Sequence, residues 1–321
     1  MSTTSKNNEK KPAFISGQKT IAVIGAGAIG LSWTGLFLAN GLNVVINDPR
    51  TDIREVALQG LDLIKPTLSS LGYDVTDLTS RLSFESELGK AIENADFIQE
   101  NGPENIAFKQ DLYARIEQFV KPDALVFSSS SSIPATVFAE KMKNPERVLI
   151  GHPFNPPHLI PLVEIVPGKN TSKEAIEEAL NFYKALGKHP VLIQKEVTGF
   201  VANRLQCALL RESVHLVQTG VVTMEDLDGI VSSSIGLRWA AAGPFKTFTL
   251  GGGKGGFPHF LEGLGPMVGH IWEVLGTPTL DEPTKAILLK QAAESYGKIP
   301  IQELESERDK QQLAVLKALN K

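Results

Sequence analysis

The chain has 321 residues, 42% hydrophobic and 21% charged, with a formal net charge of −4, the profile of a globular protein of about two domains. The acidic balance argues against nucleic acid or an anionic membrane as a main partner, and no apolar run approaches the roughly 20 residues of a membrane span. The one cysteine, Cys207, excludes an intrachain disulfide and fits a reducing compartment.

The first 17 residues are polar and lysine-bearing with no apolar stretch, and read as a disordered tail rather than a targeting signal. The chain also ends in Leu-Asn-Lys, without the common peroxisomal tripeptide, so a cytoplasmic protein is expected. A β-branched run from Thr20 then feeds into Gly25-Ala-Gly27-Ala28-Ile29-Gly30, followed by a helical pattern to Asn40 and a second apolar run, Asn43–Asn47, that ends at Asp48. Each part of this order has a physical task. Gly25 allows the tight turn, Gly27 lets backbone approach a pyrophosphate, and Gly30 lets helix and strand pack closely. Ala28 and Ile29 open the helix whose free amides and dipole attract the pyrophosphate. Asp48, eighteen positions after Gly30, stands where a carboxylate hydrogen-bonds an adenosine ribose. NAD is the expected cofactor. Arg50 lies two residues on and suits a 2′-phosphate, but the Asp48 carboxylate would repel one.

From Thr20 to about Lys195, short apolar runs alternate with helical patterns, which predicts a mostly parallel sheet covered by helices. Thr51–Leu71 reads as a helix, Leu82–Phe84 as a short strand and Ala95–Gln99 as a strand entering the turn Glu100–Glu104. Ile106–Phe119 is helical, Ala124–Phe127 a strand leading into five serines, Ser128–Ser132, and Pro134–Lys143 helical. Arg147–Ile150 reads as a strand, and the proline-dense His152–Pro161 as irregular chain. Leu162–Val166, Thr171–Leu186 and Pro190–Ile193 read as strand, helix and strand. After Thr198 long helical patterns dominate: Phe200–Thr219, Thr223–Val231, Phe257–Leu275, Thr284–Tyr296 and Ile301–Leu319, separated by glycine-rich linkers such as Gly251–Gly256. The expected fold is therefore α/β, with a Rossmann-type domain over residues 18–197 and an all-α domain over 198–321. Cys207, in the apolar segment Leu205–Leu210, is expected to be a buried small hydrophobe.

Three polar clusters fall at strand ends, where open α/β sheets place ligands: Glu100 to Glu104 with Lys109, Ser128–Ser132, and His152 to Glu164. Glu164 interrupts an apolar strand, and a buried carboxylate is costly unless paired. His152 is the natural partner, because a carboxylate raises an imidazole's pKa and fixes its tautomer. The pair would make a general base. No metal-ligand spacing is present.

Gly151-His152-Pro-Phe-Asn155-Pro156, Leu162-Val-Glu164 and Gly199-Phe-Val-Ala-Asn203-Arg204-Leu205 resemble the 3-hydroxyacyl-CoA dehydrogenase family. The resemblance spans everything after the tail. It implies that His152 is the catalytic base, Glu164 its orienting partner, Ser131 the serine that hydrogen-bonds substrate, and Asn203 a further site residue contributed by the helical domain. Ser130 rivals Ser131, since five consecutive serines leave the register open by one. Cofactor contacts would fall on Asp48, Glu104, Lys109, Ser131 and Asn155, and the family forms homodimers through its helical domain.

The second half departs from the acyl-CoA members. Gly236-Leu-Arg238-Trp239-Ala, Gly243-Pro-Phe245-Lys-Thr-Phe248 and Ile301-Gln-Glu-Leu-Glu-Ser-Glu-Arg-Asp309 resemble the branch acting on small free 3-hydroxy acids, the carnitine dehydrogenases first and the gulonate dehydrogenases with lambda-crystallin next. Arg238 could anchor a carboxylate or be a solvated or interdomain salt-bridge residue, and Trp239, Phe245 and Phe248 could face a quaternary ammonium or be ordinary helix-packing core. Competing expectations are a short acyl-CoA substrate, a lysine-based β-hydroxyacid dehydrogenase, an NADP reductase, and a non-enzymatic NAD-binding crystallin-like protein.

Overall fold

A computed structural model describes residues 19–319, so the expected tail lies outside the described residues. The chain divides into two compact units, one ending at Asn203 and the other beginning at Arg204.

The first unit is built on β1 (Thr20–Ile24), α1 (Ala28–Ala39), β2 (Asn43–Asn47), α2 (Ile53–Ser70), β3 (Leu82–Phe84), α3 (Leu88–Ile92) and β4 (Phe97–Glu100). It continues through α4 (Ile106–Ile116), β5 (Leu125–Ser128), α5 (Ala135–Phe138), β6 (Val148–Pro153), β7 (Leu162–Pro167), α6 (Lys173–Ala185) and β8 (His189–Leu192). The strand order is β3-β2-β1-β4-β5-β6-β7-β8. Every neighbouring pair is parallel except β6 and β7. Side chains alternate across the sheet. Ile21, Val23, Phe97, Phe127 and Leu149 enter the core shared with α1, α2 and α6, while Ala22, Ile24, Ile98, Val126 and Ile150 enter the core shared with α3, α4 and α5. With both faces buried, the strands read as continuous apolar runs.

Two expectations for this unit are corrected. His152 and Pro153 do not belong to an irregular segment; β6 carries them, because antiparallel pairing with β7 extends the strand beyond its apolar run and sets His152 opposite Glu164. The helix expected over Pro134–Lys143 stops at Phe138. The Glu117 carboxylate accepts the Lys143 and Asn144 amides and fixes that segment as a turn instead.

The second unit is helical. Helix α7 (Ala202–Gln218) enters it and is followed by α8 (Met224–Ser233), α9 (Ile235–Ala241), α10 (Pro244–Gly251), α11 (Gly256–Gly263), α12 (Gly265–Val274), α13 (Glu282–Ser295) and α14 (Ile301–Ala318). The single helix expected over Phe257–Leu275 is two helices. Pro266 lacks the amide that would continue the hydrogen-bond ladder and so opens α12. Helices α9 and α10 lay outside the periodic segments of the sequence reading, and α10 carries helix into the glycine run as far as Gly251. Cys207 is exposed rather than buried. Its apolar neighbours Leu205 and Leu210 are exposed as well, and the buried residues of α7 are Val214 and Val217. Among the described residues no helix is long and apolar enough to cross a membrane, and no group of three or more His, Cys, Asp or Glu could hold a metal ion.

Candidate active site

The turn between β1 and α1 fits a dinucleotide. Gly25 has a φ of +82°, a conformation costly for residues with a Cβ. A Cβ on Gly30 would stand 2.0 Å from the Gly25 carbonyl oxygen, whereas one on Gly27 would meet nothing within 4 Å. Gly30 is therefore required by the protein's own packing, and Gly27 keeps open the space above the helix end. Ala28 is exposed and Ile29 half-buried there. Helix α1 has no side-chain cap at Gly27 and no acidic residue in its first turn, so its leading amides are available to a pyrophosphate.

Asp48 follows the end of β2 and is tied to this turn. Its Oδ2 accepts the Ala26 amide at 2.8 Å. Arg50 grips both oxygens, with Nε 2.8 Å from Oδ1 and an Nη 2.9 Å from Oδ2, and also donates to the Ala26 carbonyl at 2.8 Å. Burial pushes the Asp48 carboxyl up, but the Arg50 side chain and the Ala26 and Arg50 amides outweigh it and hold the group below its ordinary value. The carboxylate is ionised at neutral pH.

At the end of β4, two carboxylates organise the serine run. Glu100 is wholly buried and accepts from the Gly102 amide at 2.6 Å, from Ser128 Oγ at 2.6 Å and from Lys109 Nζ at 2.7 Å on each oxygen. Lys109 is equally buried. Expected as a cofactor contact, it is placed beneath the turn with its ammonium committed to Glu100. Exposed Glu104 accepts Ser130 Oγ at 2.9 Å and Ser131 Oγ at 3.0 Å as well as the Ser131 amide. Ser130 is buried and its hydroxyl oxygen accepts the Ile133 amide at 3.0 Å, whereas Ser131 is half-buried at the surface of the run. Of the two serines that the sequence left open, Ser131 is thus the more accessible. Asn203 joins it, with Nδ2 3.3 Å from the Ser131 carbonyl.

His152 and Glu164 face each other across the β6–β7 register, with Nδ1 2.8 Å from Oε2. The other oxygen of Glu164 accepts the Val201 and Ala202 amides at 3.0 Å each. These donors belong to the chain leaving Gly199, whose φ of +75° turns it toward β7. Phe200 is buried with its ring 5.3 Å from that of His152, and Phe154 flanks the imidazole at 5.4 Å. Burial raises the Glu164 carboxyl, yet His152 and the two amides together hold it below the ordinary value. An ionised carboxylate can only accept, so Nδ1 carries a proton, and in the neutral imidazole Nε2 is the nitrogen with the lone pair.

Asn155 is exposed at the start of the loop between β6 and β7. Sequence reasoning gave no role to the residues that hold this loop. The His158 amide donates to Ser32 Oγ on α1 at 2.8 Å, and its Nδ1 lies 2.8 Å from the same oxygen. Lys188 reaches the Pro157 carbonyl at 2.5 Å and the Ile160 carbonyl beside it, with its nitrogen 5.6 Å above Trp33. Burial lowers the Lys188 pKa to about 7. A lysine after a helix-ending glycine carries no local sign of such a task. On the second unit, Arg238 and Trp239 are exposed on α9, while Phe245 and Phe248 of α10 pack on Phe257 and Phe260 at 6.0 and 4.8 Å.

The chain matches the model of the 3-hydroxyacyl-CoA dehydrogenase NAD-binding domain over residues 20–197 and that of the family's C-terminal domain over 199–277. An L-carnitine dehydrogenase from a Pseudomonas species is 42% identical over 306 residues, 95% of each chain. A 3-hydroxyacyl-CoA dehydrogenase from Gibberella moniliformis is 42% identical over 94% of this chain and 95% of its own. Among solved structures, an NAD+-dependent dismutase, 5-formyl-3-hydroxy-2-methylpyridine 4-carboxylic acid 5-dehydrogenase, superposes with a TM-score of 0.81 at 32% identity, covering 95% of this chain and 99% of that one. The chain belongs to the 3-hydroxyacyl-CoA dehydrogenase family and is an NAD-dependent oxidoreductase.

Proposed function

We propose that this protein oxidises the 3-hydroxyl of a small free hydroxy acid of the carnitine class to the 3-keto acid, with His152 as general base. The observation that carries the base assignment is the buried His152–Glu164 pair, in which Glu164 is held by two backbone amides and so presents a fixed oxygen to Nδ1. With Nδ1 protonated, Nε2 takes the hydroxyl proton and Glu164 stabilises the imidazolium that forms. NAD held at the β1–α1 turn and Asp48 would supply the hydride acceptor. Ser131 and Asn203 orient the alcohol oxygen; their donors rest on Glu104 and on the Ser131 carbonyl until a substrate takes them over.

The substrate class rests on the carnitine dehydrogenase relative, similar over nearly its whole length. Arg238 is the proposed carboxylate anchor, and Trp239, Phe245 and Phe248 the proposed wall for the ammonium. A short 3-hydroxyacyl-CoA is the second reading, favoured by the equally identical Gibberella relative. The protein is proposed to be cytoplasmic and to work as a homodimer through the second unit, where Trp272, Leu205 and Leu289 are 71%, 62% and 70% exposed in the single chain. Large apolar side chains this open support pairing with a second copy.

The test is NADH formation with L-carnitine, L-gulonate, 3-hydroxybutyrate and 3-hydroxybutyryl-CoA. Turnover of carnitine that exceeds the others supports the proposal; turnover of the CoA ester alone replaces it with the second reading. His152→Gln retaining near-wild-type turnover would overturn the base assignment.

A further inference from the structure

The Arg50 guanidinium stands beside the proposed ribose site, and the NAD-dependent reaction makes no evident use of it. Its side chain is 41% exposed while that of Asp48 is 7% exposed, so the cation sits on the solvent side of the carboxylate. Every polar contact of the guanidinium that the structure shows is directed back at the nucleotide turn, to Asp48 and the Ala26 carbonyl. Asp48 does not depend on this grip for its position. Two backbone amides, Ala26 at 2.8 Å and Arg50 at 3.1 Å, anchor one oxygen each.

We propose that Arg50 is a latent phosphate-binding cation of the nucleotide site, kept out of use by Asp48. While the Asp48 charge is present, the guanidinium fork is occupied by a carboxylate, and the site selects a ribose with a free 2′-hydroxyl. Without that charge the fork is released where a ribose 2′-phosphate would lie. Guanidinium pairs with phosphate in the same bidentate way as with carboxylate. The cation therefore needs no new backbone position, only a new partner. NAD selectivity then rests on Asp48, which repels the phosphate and also sequesters the group that would bind it.

The inference rests on the dinucleotide reading of the turn and is tested with ligands that lack the nicotinamide. Isothermal titration calorimetry with ADP-ribose and with 2′-phospho-ADP-ribose is run on wild type, Asp48→Asn, Asp48→Ser, Arg50→Ala and Asp48→Ser/Arg50→Ala. Wild type is expected to bind ADP-ribose in preference to the phosphorylated ligand. Arg50→Ala, with Asp48 still anchored by the two amides, keeps that preference. Both single Asp48 variants gain affinity for 2′-phospho-ADP-ribose on the order of tenfold to a hundredfold, the scale of a charge-assisted contact, and the double variant loses most of the gain. A gain that persists in the double variant would mean simple relief of repulsion and overturns the role of Arg50, as would no gain in either Asp48 variant. Wild type binding neither ligand would instead overturn the dinucleotide reading. Asp48→Asn is nearly isosteric, so with Asp48→Asn/Arg50→Ala as a second double variant a failure of Asp48→Ser to fold leaves the test intact.

Discussion

Replacing Glu164 by Gln tests the base assignment at its most constrained point. The two amides of Val201 and Ala202 both donate to Oε1 at 3.0 Å. A glutamine satisfies them only by turning its carbonyl oxygen their way, which directs its NH2 group at His152 Nδ1. That nitrogen must then accept, the proton moves to Nε2, and the imidazole has no lone pair for the substrate. The opposite flip sets an NH2 group against two amide donors and loses two hydrogen bonds, each about 1 kcal/mol net, so the inactive tautomer is preferred by about 2 kcal/mol. The imidazolium formed during proton transfer also loses its buried carboxylate, a further ~3 kcal/mol at the low end for a broken buried pair. Together these amount to about 5 kcal/mol, or a fall in kcat between about 10³ and 10⁴. The assay is initial-rate NADH absorbance at saturating NAD and substrate, with the dissociation constant for NADH measured separately by fluorescence. The expected result is lost kcat with NADH affinity within a few-fold of wild type. A kcat within tenfold of wild type would refute the reasoning.

Lys109→Met leaves Glu100 charged in the interior and is expected to destabilise the protein by about 3–5 kcal/mol, read as a lower midpoint in urea; an unchanged midpoint would show that the pair is not the support of the serine run. Lys188 binds its proton less tightly when folded, at about 7 rather than its ordinary 10.5. The unfolded chain therefore holds more protons between these values, so this residue makes stability rise with pH across that window, by at most ~1.4 kcal/mol per pH unit. Lys188→Met should flatten the dependence of unfolding free energy on pH between about 7 and 10.5, and parallel curves for the two proteins would count against it. For Glu164, whose folded value lies below the ordinary one, the sign is reversed: its contribution is complete above the usual carboxylate range and is lost as acid titrates through the depressed value, so acid unfolding of Glu164→Gln should lack that step. Gly30→Ala places a Cβ 2.0 Å from the Gly25 carbonyl and should lower both thermal stability and ADP-ribose affinity, by calorimetry, whereas Gly27→Ala, with open space around it, should lower affinity alone.

The sequence by itself determined the order of strands in the first unit, because the central strands are buried on both faces and read as apolar runs, while the short helix α3 was not among the expected elements. It also determined the nucleotide turn, since Gly25, Gly30 and Asp48 act within one strand–helix–strand stretch. His152, Glu164, Ser131 and Asn203 could be singled out by residue type and motif, but their mutual positions could not. The β6–β7 register brings His152 to Glu164, and the turn at Gly199 brings two amides to the far oxygen. Helices α9 and α10 were hidden in the sequence because glycine and proline within them mimic linkers, and the exposure of Cys207 because an apolar helix face says nothing of what covers it. Only the tertiary structure decided that Lys109 serves Glu100 and that Lys188 holds the loop between β6 and β7. The reason is common to both. A charge near the core takes whichever partner lies within hydrogen-bond reach and escapes desolvation, and that reach is set by packing in three dimensions rather than by spacing along the chain.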